Sequence, residues 1–364
     1  MERLPPDVVL DILSRLPITT LVQSKSVCRS WRSIIQSSVL VDKHLSYMAE
    51  NDPCIIFQSH VPTPDQYYLA DFAACSEGNK SLKKIPVSAI DATLVASSNG
   101  LLCLFNSSVH ICNPLTMDSV EIPNLLRDHG ISGVLGFGFS PTTKEYKVVE
   151  IIYRRKRLRL HPHPADSNPF QSQVRILTLG SSQWRSLGMA PYHFIQRPSQ
   201  VTVNGRLHWI SHPGNVVIYH RIISFDLTAE QFQEVPRADY MTLDRRFLDL
   251  VVLRGHLCVA ATNASCGLDI WAMKEYNVKE SWVKEFVIGG YLPEELRHSS
   301  YRVPFFKSDF RAVCSFRNGK ILLKLMGKRF LLYDPVHEKF EDIMFERTLN
   351  WSKMVVHVGG LVSI

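Results

Sequence analysis

One short cue recurs four times in this chain and limits the architectures open to it. Asn99-Gly100 stands before Leu101-Leu102-Cys103, and Asn204-Gly205 before Arg206-Leu207-His208-Trp209. Asn318-Gly319 precedes Lys320-Ile321-Leu322, and Arg254-Gly255 precedes His256-Leu257-Cys258 in the same setting. A two-residue type I′ turn needs positive φ at both central positions, and Asn-Gly is the pair that best tolerates it. Each cue therefore predicts a tight β-hairpin. A second cue follows. His110-Ile111-Cys112-Asn113-Pro114 runs on to Glu121-Ile122-Pro123, and Ile223-Ser224-Phe225-Asp226 to Val235-Pro236. Phe330-Leu331-Leu332-Tyr333-Asp334-Pro335 runs on to Ile343, and Val174-Arg175-Ile176-Leu177 leads to Trp184-Arg185-Ser186-Leu187. Most often the apolar strand ends in an Asp or Asn that caps a turn, and a more polar strand returns.

Units of roughly 40–55 residues with four strands each match the blades of a β-propeller. About six are expected, over 93–123, 133–188, 201–236, 247–288 and 304–343, with a closing blade. The closing blade joins residues 354–364 to strands over 54–57 and 67–72, which would remove the open sheet edge. Trp184, Trp209, Trp271, Trp282 and Trp351 fall at repeat-like strand positions and read as blade packing.

Ahead of Asp52-Pro53 the apolar period is near 3.6 rather than 2. Leu4, Val8, Val9, Ile12, Leu13 and Leu16 form an apolar stripe, with Pro5 and Pro6 suited to the first turn and Pro17 ending the helix. Thr19 or Thr20 can cap a second short helix carrying Leu21 and Val22. A third runs from about Val27 through Trp31 and Ile35, extending toward Leu45. Three short helices bury little surface and are marginal alone. Leu4, Val9, Leu16, Leu21 and Trp31 therefore either face a partner or pack inward on the next domain. The expected fold class is α+β and multidomain, with a helical unit over 1–45 and an all-β propeller-like domain over 46–364.

These residues carry a resemblance. Leu4-Pro5-Pro6-Asp7-Val8-Val9, Ile12-Leu13-Ser14-Arg15-Leu16-Pro17, Leu21 and Val27-Cys28-Arg29-Ser30-Trp31-Arg32-Ser33-Ile34-Ile35 resemble an F-box in order and spacing. Ser24 departs, where the pattern often carries an apolar or aromatic residue. The resemblance implies docking on a Skp-family adaptor and, through it, on a cullin. By position, Leu4, Pro5, Val9, Ile12, Leu16, Pro17, Leu21, Val27, Cys28 and Trp31 would carry that contact or its immediate support. The rest of the chain is similar to the F-box-associated domain of land-plant F-box proteins. The landmarks are Asn99-Gly100-Leu101-Leu102-Cys103, Asn113-Pro114, Gly136-Phe137-Gly138-Phe139, Tyr146-Lys147-Val148-Val149, Asn204-Gly205-Arg206-Leu207-His208-Trp209 and Ile223-Ser224-Phe225-Asp226-Leu227. Family members hold a protein there for ubiquitination, so the resemblance implies a non-catalytic substrate receptor of an SCF ubiquitin ligase, with an unidentified substrate protein as second partner. The rival readings are an adaptor-binding protein that delivers no substrate, and a propeller lectin or enzyme tethered to the ligase.

Composition narrows the classes further. Hydrophobic residues make up 45% of the 364, enough to fill a real core. Five of the seven net positive charges sit in Arg154, Arg155, Lys156, Arg157 and Arg159, so the remainder carries only +2. A whole-surface nucleic-acid footprint is not indicated. The run itself suits an import signal, a patch for an anionic partner or a solvated loop. The eight cysteines are scattered, with no C-x-x-C pair, and read as reduced, mostly buried thiols. His161, His163 and Asp166 sit among prolines that fix no ligand geometry, and no cofactor or metal is expected. There is no G-x-S-x-G, no H-E-x-x-H and no P-loop. The opening residues lack the apolar stretch of a signal peptide, and no run is long enough to span a bilayer, so cytoplasm or nucleus is expected with no membrane partner.

Overall fold

A computed structural model describes residues 4–59, 66–72, 82–87, 91–123, 132–155, 170–181, 183–194, 200–211, 220–238, 248–262, 267–289, 311–325, 329–343 and 351–364. The chain divides into two compact units, Met1–Arg127 with Phe345–Ile364, and Asp128–Met344.

The first unit opens with helices α1 (Pro6–Ser14), α2 (Ile18–Ser24), α3 (Arg29–Ile35) and α4 (Ser38–Ala49). The sequence predicts three helices, and the structure has four. The expected third helix breaks at Gln36, and Ser37 caps a new one by accepting the Leu40 amide at 3.3 Å. Two sheets follow. One places β24 (Trp351–His357) beside β1 (Cys54–Ser59), then β2 (Gln66–Ala70) and β3 (Leu82–Ile85). β24 pairs antiparallel with β1 over Cys54↔His357 to Ser59↔Trp351, as the expected closing blade requires. The other sheet is β4 (Thr93–Ser98), β5 (Leu101–Phe105), β6 (Ser108–Cys112) and β7 (Ser119–Pro123).

The second unit holds four more antiparallel sheets of four strands. They are β8 (Ser132–Ser140) to β11 (Arg185–Gly188), β12 (Val201–Val203) to β15 (Gln231–Glu234), β16 (Leu248–Leu253) to β19 (Trp282–Ile288), and β20 (Arg311–Ser315) to β23 (Lys339–Ile343). Between these lie β9 (Glu145–Arg155), β10 (Phe170–Thr178), β13 (Arg206–Ser211), β14 (Arg221–Asp226), β17 (His256–Thr262), β18 (Leu268–Met273), β21 (Ile321–Leu325) and β22 (Arg329–Asp334). Six four-stranded sheets are the content of a six-bladed propeller.

The turn chemistry works as the residues dictate. Asn99 and Gly100 have φ of 47° and 89°, Asn204 and Gly205 51° and 68°, and Arg254 and Gly255 50° and 78°. These are type I′ turns. The fourth cue folds differently. The Gly319 amide donates to Phe316 O at 2.9 Å and only Gly319 has positive φ, so this hairpin is wider. The Oδ1 atoms of Asn113, Asp226 and Asp334 each accept the amides two and three residues on, at 2.7–3.3 Å. Each of these turns ends in a residue with positive φ, namely Met117, Glu230 and Glu338.

Blades of the second unit meet through side chains that leave little room. A Cβ on Gly136 would sit 2.6 Å from Trp209 Cζ2, and one on Gly138 2.8 Å from Leu207 Cδ2. That close approach explains the Gly136-Phe137-Gly138-Phe139 string. Trp209 and Trp282 are buried in this packing, and Trp282 Nε1 donates to Pro236 O at 2.7 Å. Lys147, almost fully buried, donates to Leu227 O at 2.8 Å and Glu230 Oε1 at 3.0 Å. Glu150 and Arg175 form a buried ion pair across β9 and β10, with Arg175 lying 4.9 Å from the Trp184 ring.

Candidate adaptor-binding face

The four helices of the first unit make the candidate site. Pro5 and Pro6 start α1, and the amides of Val8 and Val9 both donate to Pro5 O at 3.1 Å. The helix then presents two apolar faces. Val9 and Leu13 point into a core shared with Ile18, Leu21, Ile35 and Leu40. Val8 and Ile12, spaced by four on α1, and Leu4 just ahead of the helix keep 42%, 45% and 43% of their surface in water. Apolar side chains left out at that spacing form a stripe rather than scattered exceptions.

The turns beside the stripe are held by side chains. Ser14 Oγ donates to Asp11 O at 2.9 Å, and His44 Nε2 donates to Leu16 O at 3.1 Å, tying α4 to the α1–α2 junction. Burial holds the His44 imidazole below its ordinary pKa, with the Leu16 bond opposing that shift. Cys28 caps α3, its Sγ accepting the Trp31 amide at 3.5 Å. Arg32 Nε donates to Lys25 O at 3.1 Å across the α2–α3 link. Ser24, the one departure from the F-box pattern, is buried with its hydroxyl donating to Thr20 O at 2.7 Å. The polar atom is thus satisfied within its own helix. On the outer side, Asp11 accepts from Lys43 at 2.9 Å and from Arg15 at 3.1 Å, and these bonds lower its carboxyl pKa.

The ten residues singled out in sequence separate into three groups. Leu4, Pro5, Ile12, Pro17, Val27 and Cys28 are exposed. Leu16 and Trp31 are half-buried at the edge of the helical core. Val9 and Leu21 take the inward-packing alternative. Both are buried inside the bundle, because α1 and α2 must fill it from that side, so they support the face from within. Val8, in the sequence stripe but left out of the ten, belongs to the exposed row. Its spacing from Leu4 and Ile12 was the available signal.

The other sequence candidates come to less. Arg154 and Arg155 end β9, paired through the backbone with Gln171 and Phe170. Lys156, Arg157, Arg159, His161, His163 and Asp166 lie outside the described residues. Among the described residues no cluster of three His, Cys, Asp or Glu is set to hold a metal, and no helix is long and apolar enough to cross a membrane. Cys28, Cys54, Cys103, Cys112 and Cys258 are free thiols, and burial pushes Cys112 and Cys258 up to about 12.

Comparison with known proteins agrees with this geometry. The F-box domain profile matches residues 1–43, and the profile of the F-box associated beta propeller domain matches residues 44–347. The chain is similar to F-box protein At3g07870 of Arabidopsis thaliana, 37% identical over 99% of this chain and 92% of that protein. It is 25% identical to F-box protein CPR1 of the same plant over 94% of this chain and 84% of that one. It is also 25% identical to the Arabidopsis F-box/kelch-repeat protein At3g23880 over 90% of both. Among the described residues, four short helices with an apolar stripe left in water are followed in the chain by six four-stranded sheets, and with these matches they lead to one conclusion: the chain belongs to the F-box proteins that carry an F-box-associated β-propeller domain.

Proposed function

We propose that this protein is the substrate-receptor subunit of an SCF ubiquitin ligase. The observation that carries the reading is the exposed pair Val8 and Ile12, with Leu4 just ahead of them, on a helix whose opposite face already fills its own core. A helix-in-groove contact needs such a row, with few charges at its centre. Pro5, Pro17, Val27 and Cys28 extend the exposed face, and Leu16 and Trp31 border it. Val9 and Leu21 hold it in shape. The partner is a Skp-family adaptor and, through it, a cullin. The blades hold the protein to be modified. The subunit supplies no reacting group. It raises the effective concentration of substrate lysines near the ubiquitin carrier.

The test is binding of a purified Skp-family adaptor to the intact chain and to Ile12→Glu with Val27→Glu. Both side chains are exposed, so circular dichroism should show the fold unchanged. The double variant should bind at least roughly 30-fold more weakly, as expected for a desolvated apolar anchor. A folded double variant that binds like the wild type would sink the assignment of this face.

A further inference from the structure

We propose that residues 359–363 act as a clamp that keeps the adaptor-binding face folded by seating it on the blade β4–β7. The segment leaves β24 and passes between the helices and that blade's turns. Its helix side is Leu361, 2% exposed, which joins Val9, Leu13, Ile18, Leu21, Ile35 and Leu40 in one apolar cluster. Its blade side is held by Asn113. That amide donates from Nδ2 to Gly360 O at 2.9 Å and Val362 O at 2.8 Å, while its Oδ1 caps its own turn. Ser363 Oγ adds a bond to Asp118 Oδ2 at 2.8 Å. The fit between the two sides has no slack. A Cβ on Gly359 would lie 2.6 Å from Ile18 Cδ1 and 3.3 Å from Leu115 Cδ1. A Cβ on Gly360 would lie 2.7 Å from Asn99 O.

Helices of seven to twelve residues are marginal by themselves. Removing the clamp uncovers Ile18 and Leu21 and lets the bundle open locally. A binding-competent fraction below one raises the apparent adaptor Kd in proportion. Leu361 and Asn113 are thus positioning residues for adaptor capture, more than 60 residues of chain away from the F-box match that ends at 43.

The adaptor readout rests on the ligase reading above, and hydrogen exchange does not, so the two can fail separately. Leu361→Ala empties the helix side. Asn113→Asp keeps the capping oxygen and removes the donor to the segment. In both variants the amides of α1, α2 and α3 should exchange at least roughly tenfold faster while those of β5 and β6 keep their protection. Adaptor Kd should rise by about tenfold. Gly359→Val, which pushes on Ile18 and Leu115 without touching the Asn113 turn, must give the same result, and it replaces Asn113→Asp if β5 and β6 lose protection there. Unchanged helix exchange in any of these variants overturns the clamp, as does faster exchange with an unchanged adaptor Kd. Loosened helices in a protein whose wild type binds no adaptor would keep the clamp and remove the ligase reading.

Discussion

Val8 and Val9 are neighbours in sequence and end in opposite environments, one in water and one in the helical core. Their exchange for aspartate should therefore separate folding from binding. Val9→Asp buries an unpaired charge and should unfold the helices, a loss of several kcal/mol. Val8→Asp should change stability by no more than about 0.5 kcal/mol and weaken adaptor binding; thermal melts with the binding assay would read both. Pattern alone located the stripe but not its division, because both faces of α1 are apolar and only the packed neighbours tell them apart. Two buried histidines give a further outcome. His208 donates to Val201 O and accepts from the Tyr276 hydroxyl, and His357 shares a 2.8 Å bond with Ser97. Burial pulls both imidazoles down to about 4 from the ordinary 6.5. The unfolded chain then binds their protons first, so stability is full above about pH 6.5 and falls as pH drops toward about 4. Urea midpoints at pH 7, 6 and 5 should decline, and His357→Gln should flatten part of the decline.

At the scale of elements, the hairpin cues explain why so much of the blade pattern could be read. Asn99 and Asn204 sit in left-handed backbone that other side chains adopt at a cost of about 1–2 kcal/mol. Asn204→Ala should lower stability by about 1 kcal/mol in denaturant unfolding, with the hairpin register kept. Arg254 takes the same conformation, with its guanidinium 3.3 Å from Glu285 and 5.4 Å from the Phe286 ring centroid. Gly136→Ala should cost more, about 1–3 kcal/mol, because its methyl meets Trp209 and Leu207. The wider hairpin at Gly319 and the break before α4 were less legible. In the first, Asn-Gly was present but the flanking residues pair one step further out. In the second, the apolar period ran through Ile35, Val39 and Leu40 without interruption, although Ser37 offered a cap.

For the whole molecule, the order of sheets was legible because each blade is a local repeat read from its own turns. The shared sheet of β24 and β1 was also legible, since joining them removes an open sheet edge. Leu361 was not. A lone leucine near Gly359-Gly360 carries no period, and the buried helix residues it packs with are over 300 residues away in sequence. Buried charges were equally invisible, since Glu150 and Arg175 look like ordinary strand polar residues until β9 and β10 align them. Glu150→Ala should lower stability by about 3–5 kcal/mol by removing the carboxylate that Arg175 faces in the interior, and a restored midpoint in Glu150→Met with Arg175→Met would show that the pair itself is replaceable.

The sheet built from both ends also sets an order of events during synthesis. A ribosome delivers the four helices and β1 before β24 and Leu361. Until then β1 lacks its neighbour and the helices lack part of their core. Long-range pairing of this kind is slow to form and late by necessity. A nascent chain stalled before residue 351 therefore carries the four helices without Leu361 and β1 without β24.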